Sequence, residues 1–161
     1  MPIRKQLLAL TTVLTLSLAQ AGFALAHSDH DHHHHGDPGE LKVELNQGQK
    51  WQTDAPLRRG MAAIRDEVAA LLPSIHNNTL PEQDYAALAT RLQGHMHYMF
   101  DNCDLPPEAD AQLHAVLAQI LHGMGTMSEG EQARSGAVRI VRSLEAYAAH
   151  FEHPGWPALR H

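Results

Sequence analysis

The segment "HSDHDHHHHGD" starts at His27 and carries His27, His30, His32, His33, His34 and His35, six imidazoles within nine residues. Neutral imidazole is a ligand for Cu, Zn and Ni alike, so a tract of this kind collects transition ions without choosing sharply among them. Asp29, Asp31 and Asp37 are interleaved with the histidines, and no apolar residue occurs from His27 to Gly39. Such a stretch has nothing to bury, and it is expected to be a disordered arm over residues 27–40 rather than a folded element.

The residues just before the tract set its chemistry. Arg4 and Lys5 form a positive start, Leu7 to Leu18 an apolar run, and Ala24 and Ala26 an A-x-A cleavage pattern. Residues 1–26 therefore read as a signal peptide, with an apolar run too short for a membrane span of roughly 20 residues. Cutting after Ala26 makes His27 the new amino terminus, where a free amine and an imidazole together form a chelate suited to Cu(II). The expected destination is a bacterial periplasm, with no stable membrane insertion after cleavage. Cleavage removes two of the 12 basic residues and none of the 18 acidic ones, taking the formal charge from −6 to −8, so nucleic acid is not an expected partner. Cys103 is the only cysteine, which excludes an internal disulfide and leaves burial, metal ligation or pairing between chains.

From Leu41 the composition becomes that of a folded domain, expected over residues 41–161. "LKVELNQGQKW" alternates Leu41, Val43 and Leu45 with polar residues, as a short extended segment along the outside of the domain would. Four amphipathic stretches follow. The first opens at Thr53 or Asp54 as cap with Pro56 in its first turn, and is expected to end before Pro73. The second follows Pro81 and places Tyr85, Leu88, Leu92, Met96, Met99 and Cys103 on one face. The third starts at Pro107 with Leu113, Val116, Leu117, Ile120 and Met124 inward, and Gly123, Gly125 and Gly130 are expected to mark the turn after it. The fourth runs from about Gln132 to Phe151 and stops at "HPGWP". Short connections predict an all-α fold, an antiparallel up-down-up-down four-helix bundle.

Within that bundle a second set of metal-ligating types comes to one depth. Met61 falls on the inward face of the first helix, and His95 within the stripe of Leu88, Leu92 and Met99. His114 falls at the edge of the third helix's apolar face. Counted from one end of an antiparallel bundle, Met61, His95, Met99 and His114 should lie within about two helical turns of each other. Cys103 and Asp110 would sit nearer the rim, with Tyr147 supplied by the fourth helix. Thioether, imidazole and thiolate together favour a soft ion such as Cu(I). Met is also a common core filler, and Asp110 with His114 at i, i+4 is also a common surface pair.

Three blocks, "LNQGQKWQTDAPLRRGMAAIR", "NCDLPPEADAQLH" and "YAAHFEHPGW", are spread along essentially the whole of the folded part. In these the chain resembles a family of small exported proteobacterial proteins, sometimes labelled DnrO-like, that carry a His-rich arm behind the leader. The resemblance implies an all-helical periplasmic domain and no particular activity. Cys103, Asp110, His114, His153 and Trp156 fall inside the blocks and His95 does not.

No nucleophile elbow, H-E-x-x-H, C-x-x-C or phosphate loop occurs, so the sequence gives no support to an enzyme. The leading expectation is a periplasmic copper- or zinc-binding protein that buffers ions or passes them to a periplasmic metal-handling protein. One alternative is a b-type haem electron carrier, with Met61 and His150 placed as axial ligands, although His150 points away from the apolar face and C-x-x-C-H is missing. The other is a helical protein-interaction module without a cofactor.

Overall fold

Asp54 fixes where the first helix begins. Its backbone is extended and its Oδ1 accepts from the Leu57 amide at 2.7 Å, satisfying one of the orphan donors of the first turn. In the computed structural model, which describes residues 41–160, α1 spans Ala55–His76 and α2 spans Glu82–Asn102. After them α3 spans Pro107–Glu129 and α4 spans Ala133–His150. The expected leader (1–26), the arm (27–40), its six histidines and His161 lie outside the described residues. The described part is all-helical, with no strand, and none of its helices is long and apolar enough to cross a membrane.

Two helix ends differ from expectation. Pro73 lies inside α1, in its last turn, and the helix continues to His76. A proline there costs one backbone bond, which burial of Ile75 and the Asn77 amide bond to the Pro73 carbonyl at 3.0 Å help to offset. Likewise Gly123 and Gly125 do not mark a turn, because α3 runs through both and ends only at Gly130, whose φ of 89° suits glycine.

Gly123 has a different reason to be glycine. A Cβ there would lie 2.6 Å from Ile140 Cγ1 and 2.7 Å from the Gly136 carbonyl oxygen, and one on Gly136 would collide with the Gly123 carbonyl. Backbone therefore meets backbone where α3 packs on α4. The remaining contacts run between α1 and α2, α2 and α3, α1 and α4, and α2 and α4. All four helices contribute to one core that includes Leu57, Ile64, Leu88, Leu92, Ile120 and Leu144.

Residues 41–51 lie against that core as an irregular strap. Asn46 and Gln49 exchange both backbone bonds, at 2.8 and 2.9 Å, around Gln47 and Gly48 at positive φ. Trp51 then pairs with both sides of Phe151: its amide donates to the His150 carbonyl, and its carbonyl accepts from the Glu152 amide, each at 2.8 Å. The entry to α1 and the exit from α4 are thereby tied together.

Candidate functional site

Among the described residues, a grouping of polar and aromatic side chains forms where the start of α1 and the end of α2 approach the last turn of α4 and the tail behind it. Tyr147, on α4, is completely buried. Phe151 stacks on it at 5.2 Å between ring centroids, and Trp156 and His153 close around it at 5.1 and 5.8 Å. Its Oη and His153 Nδ1 are hydrogen-bonded at 3.0 Å. Trp156 also packs on His153, at 4.8 Å, and the Arg65 guanidinium lies over the indole at 5.8 Å. Arg58 is aimed by Thr53, whose carbonyl and Oγ1 accept from Nη1 at 2.5 and 3.0 Å. The second oxygen of Asp54 accepts from the Asp104 amide at 2.7 Å, linking the α1 cap to the α2–α3 connection beside Cys103.

Burial and nearby charge set the protonation of this group. Burial raises the Tyr147 phenol above its ordinary range, and Cys103 and Asp54 add to the rise while Arg58 opposes it. His153 is shifted down, first by burial and then by Arg58 and Arg65, which disfavour a third positive charge. Cys103 is pushed up to about 11 by burial and by the carboxylates of Asp54 and Asp110. At neutral pH all three are therefore uncharged. The Tyr147–His153 pair clasps the tail, and the Cys103 thiol must lose a proton before it can ligate a metal.

The residues expected to converge on a bundle metal site are placed differently from one another. Met61 and Met99 are fully inside the core. A Cβ on Gly60 would lie 2.6 Å from Met99 Sδ, so the thioether packs directly on the α1 backbone. Cys103 is half-buried at the C-terminal cap of α2, with its amide bonded to the Met99 carbonyl at 2.9 Å. His95 is half-buried rather than in the core, because Met96 occupies the inward position beside it. The largest departure is His114. Its side chain is 67 % exposed, with Nδ1 2.9 Å from the Asp110 carbonyl and 3.3 Å from the Asp110 carboxylate. The neighbouring Leu113 takes the inward direction. His150, the expected axial partner of Met61 in a haem carrier, is half-buried with Nδ1 2.8 Å from the Ala146 carbonyl. Among the described residues no three His, Cys, Asp or Glu side chains meet where they could share an ion.

Sequence reasoning missed Arg58, His153 and Trp156 as partners of Tyr147, and Arg65 as a neighbour of His153 and Trp156. The available signal was "YAAHFEHPGW", with Tyr147 and Phe151 at i, i+4 and two more rings after a helix stop. Outside this cluster, Phe151, His153 and Trp156 border a groove of about 610 Å³ with Lys50 and Leu144. Lys50 Nζ donates to the Ala148 carbonyl at 2.6 Å, satisfying an acceptor near the end of α4. Compared with known proteins, the chain matches no family model, no curated protein and no solved structure.

Proposed function

We propose that this chain is an exported transition-metal-binding protein, with copper the favoured ion and zinc the next, and that the histidine arm does the binding. The observation that carries the reading is the run of six histidines in the nine residues from His27 to His35, behind an A-x-A cleavage pattern. The resemblance to an exported, His-rich family supports the periplasm as its location. In this reading the four helices form an antiparallel up-down-up-down bundle that carries the arm, and ions are buffered or passed to another periplasmic protein. A second, softer site built on Met61, His95, Met99, Cys103 and His114 asks His114 to point opposite to the way it does and asks Cys103 to give up a tightly held proton. The proposal therefore rests on the arm alone.

Metal analysis of the mature protein, purified untagged from periplasm, tests it. Deleting residues 27–37 should abolish most bound Cu(II) and Zn(II) while leaving the helical circular dichroism unchanged. Because imidazole binds metal only when neutral, loading of the intact protein should also fall as pH drops through about 6.5. A deletion that keeps the full metal content would overturn the reading.

A further inference from the structure

Behind the end of α4 the chain reads "HPGW", from His153 to Trp156. Proline at the second position and glycine at the third suit a type II turn, and Gly155 has a φ of 78°. The Trp156 amide closes that turn on the His153 carbonyl at 3.1 Å. His153 and Trp156 are thereby brought ring against ring, with centroids 4.8 Å apart. Both rings border the groove of about 610 Å³, whose apolar lining includes Leu144, Ala148, Phe151 and Leu159. That volume falls within the roughly 300–1,000 Å³ of small-ligand pockets.

The two rings offer donors rather than acceptors. The hydroxyl of the completely buried Tyr147 is bonded to His153 Nδ1. A buried phenol proton without an acceptor is costly, so Tyr147 donates and the imidazole proton stays on Nε2. Trp156 supplies an indole N–H, which can only donate. Among the described residues, neither His153 Nε2 nor Trp156 Nε1 has a hydrogen-bond partner. Trp51 is the contrast, because its Nε1 donates to the Glu44 carbonyl at 2.6 Å. Lys50 and Glu152 bring one charge of each sign to the groove and Glu145 a second negative one, so no net positive charge draws an anion in. An ammonium guest would offer the two ring N–H groups nothing to bond. Aromatic walls favour a flat guest.

We infer that this groove binds an uncharged, flat apolar molecule whose carbonyl-type oxygen accepts from His153 Nε2 and Trp156 Nε1. Such binding uses neither the histidine arm nor a metal ion, so it stands or falls separately from metal capture.

The test follows the indole N–H resonances of the metal-free, isotope-labelled mature chain, one for each of its two tryptophans. The signal absent from Trp156→Phe identifies Trp156. Benzamide should move that signal and leave the Trp51 signal, whose proton is already engaged, in place. Benzoate and benzylammonium, the same ring with a negative and a positive head, should bind about tenfold or more weakly than benzamide. Trp156→Phe keeps an aromatic ring but loses the donor, and should weaken benzamide by about fivefold with helical circular dichroism unchanged. A Trp156 signal that benzamide does not move, or moves no further than that of Trp51, would overturn the proposal. So would equal or tighter binding of either charged analogue, or a benzamide affinity indifferent to Trp156→Phe.

Discussion

Where α1 meets α2, the Met99 side chain lies over Gly60 and the adjoining Met61 is wholly buried. Where α4 meets the tail, Tyr147 lies among Phe151, His153 and Trp156, with its hydroxyl bonded to an imidazole. The first contact is apolar and deformable, because an unbranched thioether fills whatever gap remains. The second takes the Tyr147 hydroxyl out of water and satisfies it with a half-buried imidazole. The contrast bears directly on metal binding. The thioethers of Met61 and Met99 are deep in the core while His114 is exposed, and His153 sits with Arg58 and Arg65, two cations that oppose a bound metal ion.

The largest effect should come from the aromatic contact. Tyr147→Ala removes a completely buried ring and should cost about 3–5 kcal/mol in urea unfolding. Tyr147→Phe keeps the ring and should cost only about 1 kcal/mol, for the lost bond to His153. If the alanine variant lost no more than the phenylalanine one, the cluster would not be part of the core.

A smaller effect should appear on acidification. The folded-state pKa of His153 lies below its unfolded value, so the unfolded chain takes up the proton first. The contribution of neutral His153 is then complete above about 6.5 and is lost as pH falls from there toward the lowered folded value. Urea midpoints of wild type and His153→Gln should therefore converge as pH falls through that window. A gap independent of pH would show that burial does not govern this imidazole.

How far the sequence carried the fold follows from where its signals are local. Pro56, Pro81 and Pro107 announce three helix starts, and the inward residues of α3 from Leu113 to Met124 follow helical spacing, so both were legible. Pro73 and Gly123 misled because their usual meaning was overridden by packing: Ile75 is buried beyond the proline, and Gly123 serves the approach of α4. The candidate site was less legible. Direction on a helical wheel is too coarse to separate His114 from Leu113 or His95 from Met96, since adjacent residues differ by only about 100°. The tail cluster was legible in part: depth along an antiparallel bundle put Cys103 and Asp110 at the same end as Tyr147, whereas Arg58, His153 and Trp156 join Tyr147 through tertiary contacts that no spacing rule encodes.

The smallest effect is the most informative about sulfur. Met61→Leu nearly conserves volume at a fully buried position, so it should cost under about 1.5 kcal/mol in urea unfolding. Leucine packs much as methionine does but has no lone pair to offer an ion. If the Met61 thioether serves only the α1–α2 contact, the variant should take up as many equivalents of Cu(I) under reducing conditions as the wild-type mature chain. The same chain titrated with Cu(II) should also be unchanged, because the arm is intact in both. Loss of one Cu(I) equivalent with unchanged folding would mean that the thioether can reach an ion despite its burial. That result would restore the softer bundle site and break the separation of sulfur from imidazole on which the comparison rests.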